Sequence, residues 1–210
     1  MIKILVADDH TIVREGLRQI FLDTDDIVVA DEAKNAQEVI KKVGEGKYDV
    51  LLLDISLPGR SGLDVLKQAL CLRPGLPILI LSMHPEEQYA LRSLRAGAAG
   101  YLTKESASDE LIKAIRMVVA GKKYITPSLA EKIVLELDRD SHRAPHAILS
   151  DREYQVLILI ASGKTGREIA RSINLSYKTI STHRANILRK MRMQNNAQLI
   201  RYALKQNLVD

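Results

Sequence analysis

Four consecutive apolar residues, Val50-Leu51-Leu52-Leu53, run straight into a carboxylate, Asp54, and then into a turn carrying Pro58, Gly59 and Gly62. An unbroken apolar run bounded by turn residues predicts a strand covered on both faces, the environment of a parallel sheet. In open α/β sheets ligand chemistry gathers beyond the carboxyl ends of the strands, so Asp54 stands where a reactive group would stand. Taken alone, it could equally cap a helix or close a turn.

The same pattern recurs along the front of the chain. Lys3 to Ala7 predicts a strand ending in Asp8-Asp9, Ile27 to Ala30 a second, Pro77 to Leu81 one ending at Ser82, and Gly100 to Thr103 one ending at Lys104. Between them apolar residues return at helical spacing, as in Leu17, Ile20 and Phe21, in Val39, Ile40 and Val43, and in Leu63, Leu66 and Leu70. Strands alternating with helices over about 125 residues predict an α/β fold with a doubly wound, five-stranded parallel sheet.

In such a sheet the strand ends share one edge, so the carboxylates of Asp8, Asp9 and Asp54 converge with the Ser82 hydroxyl and the Lys104 ammonium. The carboxylates repel one another unless a hard divalent cation lies among them, which predicts a Mg2+ site. A carboxylate beside Mg2+ can attack a phosphoryl group, while Lys104 and Ser82 bind its equatorial oxygens. Any one of these residues is more often a cap or turn residue than a catalyst. Their joint placement at strand ends makes the catalytic reading the stronger.

Composition narrows the setting. The single cysteine, Cys71, excludes an intrachain disulfide framework and a cysteine-rich zinc site and fits a reducing compartment. The start turns acidic at Asp8-Asp9, too soon for a signal peptide, and no apolar run approaches the roughly 20 residues that span a bilayer. The expectation is a soluble, cytoplasmic protein with no membrane partner. Charge is unevenly placed. Residues 1–125 hold 17 Lys+Arg against 18 Asp+Glu, whereas residues 126–210 hold 14 against 8, so the back of the chain is the part suited to a polyanion.

Pro127 and Ser128 open a helix with Leu129, Ile133, Val134 and Leu137 on one side. Asp138 to His146 then reads as a flexible linker, with His142 and His146 as solvated residues rather than metal ligands. From Leu149 onward the pattern is helical. Ser150 and Glu153 have capping-box spacing, Gly163 stops that helix, Thr165 caps the next, and Asn174-Leu175-Ser176 is a tight turn before a helix from Tyr177 to about Met191. Two short helices joined by such a turn, over about 166–185, make a helix-turn-helix. A wheel of the second helix puts Ile180, Ile187, Leu188 and Met191 on one side and Lys178, Thr182, Ala185 and Arg189 on the other, with Ser181 and His183 flanking. Polar, cationic and small residues on an outward face suit the major groove. Arg184 falls on the apolar side, with its stem expected to pack and its head to reach phosphate. The last helix, with Leu199, Ile200, Ala203 and Leu204, is the expected dimer surface of this part of the chain.

Through Asp8-Asp9, Asp54, Ser82, Tyr101 and Lys104, residues 2–121 resemble a response-regulator receiver domain of flavodoxin-like fold. Residues 148–209 resemble the LuxR-type DNA-binding domain, through Leu149-Ser150-Asp151-Arg152-Glu153, Gly163-Lys164-Thr165, Glu168-Ile169-Ala170 and Lys178-Thr179-Ile180-Ser181-Thr182-His183-Arg184. Together they resemble the NarL/FixJ class of two-component response regulators. The resemblance implies that Asp54 accepts a phosphoryl group from a sensor histidine kinase. It further implies that Asp8, Asp9, Asp54 and the Ser56 carbonyl hold Mg2+, and that Ser82 and Tyr101 switch together. A long flexible linker between a switchable sheet and a small module that reads only a half-site predicts that phosphorylation releases and dimerises the DNA-binding part on a pseudo-palindromic duplex. Lys178, Ser181 and Thr182 would then read bases, while His183 and Arg184 mainly hold the backbone; Thr165 and Thr179 complete the expected contacts. Gly166 stands where the family commonly has Asn, so one backbone contact is missing there.

The expected organisation is a receiver over 1–122, a linker helix and linker over 123–147, and a DNA-binding domain over 148–210. Such a protein is no enzyme beyond its own phosphorylation and slow dephosphorylation. Two other readings compete. Asp clusters with Mg2+ also serve phosphohydrolases, but no further acid or base is present to release a phosphoaspartate quickly. A constitutive DNA-binding protein with an inert receiver would have no use for the intact set of strand-end residues.

Overall fold

The computed structural model describes residues 1–58, 60–106, 108–138 and 144–209. Gly59 in the turn after Asp54, residues 139–143 of the expected linker with His142, and the side chain of Leu137 lie outside the described residues. The chain divides into two compact units, Met1–Leu129 and Ala130–Asp210.

In the first unit strands and helices alternate: β1 (Ile2–Ala7), α1 (Thr11–Leu22), β2 (Ile27–Ala33), α2 (Ala36–Glu45), β3 (Val50–Leu53), α3 (Gly62–Leu72), β4 (Ile78–Ser82), α4 (Glu86–Arg95), β5 (Gly100–Thr103) and α5 (Ser108–Val119). The strands form a five-stranded parallel sheet in the order β2-β1-β3-β4-β5. The apolar run of β3 lies at the centre with Val50, Leu51, Leu52 and Leu53 all at most 1% exposed. On one face Ile4, Val6, Leu52 and Leu79 pack against Leu17 and Phe21 of α1 and Ile115 and Val118 of α5. β2 outruns its apolar stretch by Asp31, Glu32 and Ala33, which an edge strand tolerates when its charges are met: Arg14 and Arg18 pair with Glu32, and Lys42 with Asp31.

Register decides what meets at the carboxyl edge. Ala7 lies opposite Leu53, Leu53 opposite Ile80, and Ser82 opposite Thr103, so Asp8, Asp54, Ser82 and Lys104 leave the sheet as neighbours. The chain also reverses its direction of travel across the sheet between β1 and β3, the kind of crevice in which such folds bind ligands.

Past α5 the chain returns to the sheet edge, where Tyr124 bridges to Gly100. The approach needs a glycine, because a Cβ on Gly100 would stand 2.8 Å from the Tyr124 carbonyl oxygen. Helix α6 (Pro127–Asp138) follows, with Leu129 buried.

The second unit contains a 310 turn (Pro145–Ile148) and helices α7 (Asp151–Ala161), α8 (Gly166–Ser172), α9 (Tyr177–Met191) and α10 (Asn196–Lys205). Both capping boxes form, Ser150 with Glu153 on α7 and Thr165 with Glu168 on α8, satisfying amide donors that would otherwise be orphaned. Asn174 takes a φ of 52° in the turn between α8 and α9, a conformation that Asn accepts more readily than most residues. Val156, Leu157, Ile169, Ile180, Ile187, Leu199 and Ala203 form the interior. Among the described residues no helix is long and apolar enough to cross a membrane.

Candidate functional site

At the carboxyl edge of the sheet, Asp54 and Asp8 are each 2% exposed while Asp9 faces solvent. The Lys104 ammonium bridges the buried pair, 2.7 Å from Asp54 Oδ2 and 2.6 Å from Asp8 Oδ2. The other oxygen of Asp54 accepts from the Ser56 N–H at 2.9 Å, which fixes the carboxyl plane. Burial pushes the Asp54 carboxyl up, helped by the Asp8 charge and opposed by Lys104 and the Ser56 amide. Burial works against the Lys104 cation, but Asp54 and Asp8 together hold its pKa above the ordinary value.

One ammonium among three carboxylates leaves negative charge uncompensated. Asp8, Asp9, His10 and Asp54 each bring a potential ligand atom to within 4.8 Å of the others. Oxygen-rich ligand sets of this kind suit a hard divalent cation such as Mg2+. Its presence would favour the ionised form of Asp54, opposing the effect of burial.

A second layer joins this cluster to the β4–α4 loop. The buried Ser82 hydroxyl accepts from the His84 N–H at 3.1 Å, and the fully buried Tyr101 donates its hydroxyl to the His84 carbonyl at 2.7 Å. The His84 ring reaches Ser56 Oγ at 3.3 Å, and the Met83 side chain is 63% exposed. Sequence reasoning passed over His84 and over His10, whose ring lies 3.0 Å from Asp9 and 3.2 Å from Asp8. Their only signal was adjacency, His10 directly after the acidic pair and His84 two residues past Ser82.

The outward face of α9 is different in kind. Lys178, Ser181 and Thr182 are exposed, and the Thr182 hydroxyl turns back to the Lys178 carbonyl at 3.1 Å. Thr179 is half-buried and lies 2.8 Å from the Ser176 hydroxyl that caps the helix, while Thr165 is exposed and engaged with Glu168. His183 is half-buried, and burial with the nearby Arg152 cation pushes its pKa down. Lys164, Arg167, Arg171 and Arg189 are exposed as well and outnumber the exposed Glu168, while Asp151 and Glu153 are buried, so the field over α8 and α9 is cationic.

Arg184 is exposed, and its Nε donates to Asn196 Oδ1 at 2.6 Å, because α10 starts alongside it. Two expectations are corrected in this unit. Leu199 and Ala203 are fully buried within the unit, leaving Leu204 and part of Ile200 as the exposed apolar surface of α10. His146 is no solvated linker residue. Its ring lies 2.7 Å from the Tyr202 hydroxyl and is flanked by Tyr154. The missing side chain at Gly166 has a structural counterpart: a Cβ there would meet the Tyr177 ring at 2.8 Å.

Residues 4–116 match the response regulator receiver domain, and residues 147–203 match the luxR family of bacterial regulatory proteins. The chain is similar to the oxygen regulatory protein NreC of Staphylococcus carnosus, with 39% identity over 215 residues covering 99% of each chain. It is 35% identical to the response regulator GacA of Pseudomonas syringae pv. syringae over 211 residues, covering 100% of this chain and 99% of that one. Among solved structures, RcsB of Salmonella enterica serovar Typhimurium, bound to promoter rprA with the phosphomimetic BeF3-, superposes with a TM-score of 0.65 at 25% identity, covering 96% of this chain and 97% of that one.

Proposed function

Because this chain belongs to the NarL/FixJ family of two-component response regulators, with a receiver and a LuxR-type DNA-binding domain, we propose that Asp54 is its phosphoacceptor and that the phosphoryl group controls DNA binding. The reading rests on one observation above all: Asp54 is buried at the end of β3, with Lys104 2.7 Å from one carboxyl oxygen and the Ser56 amide 2.9 Å from the other. A buried carboxylate oriented in this way is an aimed nucleophile.

An Asp54 oxygen attacks phosphorus as the P–N bond of a kinase phosphohistidine breaks, and the departing nitrogen keeps the bonding electron pair. Lys104 follows the charge onto the phosphoryl oxygens, and the Ser82 hydroxyl is placed in the same layer to bind one of them. Asp8, Asp9, Asp54 and the Ser56 carbonyl would hold Mg2+, which when bound neutralises charge on the transferring group. Ser82 and Tyr101, linked through His84, form the switch. The output is sequence-specific binding to double-stranded DNA through α9, with Lys178, Ser181 and Thr182 toward the bases and Thr165, Thr179, His183 and Arg184 toward the backbone. Phosphorylated homodimers on a pseudo-palindromic operator are the form in which one short helix per subunit yields adequate specificity. Transcriptional control in the cytoplasm follows from that output; the RcsB–promoter complex supports it by analogy.

Intact-mass measurement after acetyl phosphate with Mg2+ tests the reading. One phosphoryl group should add to the wild type and none to Asp54→Asn or after chelation, and an undiminished adduct in Asp54→Asn would refute the assignment.

A further inference from the structure

The chain leaves the first unit through Tyr124–Leu129, and this exit is tied to the sheet and to two helices. The Tyr124 N–H donates to the Ala99 carbonyl at 2.8 Å, and the Tyr124 hydroxyl donates to Glu110 on α5. Two residues on, the Thr126 hydroxyl lies 2.8 Å and 3.0 Å from the two carboxyl oxygens of Glu86, and the Ser128 hydroxyl donates to the same carboxylate at 3.1 Å. Thr126 Oγ1 also accepts from the Leu129 N–H at 3.3 Å, so the hydroxyl that grips Glu86 caps α6 as well.

Glu86 is the first residue of α4, four positions after Ser82. The loop between them is short and held at both ends. Ser82 Oγ accepts from the His84 N–H, Tyr101 donates to the His84 carbonyl, and the Gln88 N–H closes onto the Pro85 carbonyl at 3.1 Å. Moving the Ser82 hydroxyl therefore displaces the acceptor on which His84 rests, and Glu86 lies two residues further along the same loop.

We propose that Glu86 is the joint between the phosphorylation loop and the linker: its carboxylate holds Thr126 and Ser128, and release of that grip frees the first turn of α6 when Ser82 turns to a phosphoryl group. The proposal rests on the reading of Asp54 as phosphoacceptor. A hydrogen bond tolerates little displacement. A shift of about 1 Å takes contacts of this length beyond bonding range, so the exit segment has a held and a released state rather than a continuum. Helix α6 begins at Pro127 in the first unit and runs on to Asp138 in the second, so its first turn lies where the receiver can act on the chain leading to the DNA-binding helices.

Amide exchange at Leu129 in the full-length protein, before and after acetyl phosphate with Mg2+, decides it. In the wild type phosphorylation should speed that exchange about tenfold. In Glu86→Ala, and to a lesser degree in Ser128→Ala, exchange should be faster from the start and gain less on phosphorylation than in the wild type, although both proteins still take up one phosphoryl group. Glu86→Gln, which keeps one carbonyl acceptor, should restore part of the protection. A merely structural contact would loosen the segment yet leave the full response to phosphorylation, and that result in either variant overturns the proposal. Uptake of phosphate with a silent Leu129 amide in the wild type sinks the coupling alone. No uptake at all removes the Asp54 reading and the coupling with it.

Discussion

Asp54, Asp8 and Ser82 are sealed at the edge of the sheet, with each carboxyl oriented by a cation or an amide, whereas Lys178, Ser181 and Thr182 stand in solvent on α9. The first unit carries a cluster whose carboxyls are already aimed by its own hydrogen bonds. The second carries a hydrated polar face whose geometry, on the proposed reading, is finished only by the duplex. Burial explains the contrast. A phosphoryl-transfer site needs its charges dry and fixed, while a groove-reading face must stay hydrated and accessible until base edges replace its water.

The sharpest challenge to this contrast is Lys104→Met. Removing the one ammonium between two buried carboxylates should cost the receiver about 3–5 kcal/mol, and Mg2+ should recover more stability in the variant than in the wild type. Equal Mg2+ responses in thermal melts would mean that the carboxylates are not held against each other as described.

The second unit has buried carboxylates of its own, and one of them, Glu153, is 4% exposed and lies 2.6 Å from Lys190. Glu153→Gln should destabilise this unit by about 1.5–3 kcal/mol. Burial opposes the ionised form, but Lys190 and the Ser150 cap together hold the Glu153 carboxyl below its ordinary range. A depressed carboxyl stabilises the fold above its unfolded pKa and loses that contribution as pH falls through the folded value. The wild-type second unit should therefore melt progressively earlier in acid, and Glu153→Gln should show a flatter acid limb in a urea titration.

On the exposed face, Thr182→Ala should weaken binding to a selected DNA sequence by about 1–3 kcal/mol and relax its preference, while leaving the melting temperature unchanged. Unchanged affinity and preference would take Thr182 off the groove. The smallest effect belongs to Arg18→Ala, which removes a largely exposed partner of Glu32. Arg14 still holds that carboxylate, so urea unfolding should shift by less than about 1 kcal/mol.

Much of the receiver site was legible in the sequence, because apolar runs end at identifiable residues and a parallel ladder carries neighbouring strand ends to one edge. Asp8, Asp54, Ser82 and Lys104 needed only that rule to be placed together, and the capping boxes at Ser150 and Thr165 needed only local spacing. Periodicity states which side of a helix is apolar; it does not state what covers that side. Hence Leu199 and Ala203 look available as a dimer surface until the fold buries them, and nothing in the periodicity says that α10 brings Asn196 beside Arg184. His84 over Ser56, His146 on Tyr202, and Glu86 holding Thr126 are contacts between residues 28 to 56 positions apart, set by how the elements pack. The sequence by itself determined the order of elements, the chemistry at their ends and the cationic outer helix, because these depend on near neighbours and on hydrogen-bond geometry common to all chains. Only the tertiary structure decided which polar groups on separate elements meet, because that depends on side chains brought together by burial of the cores beneath them.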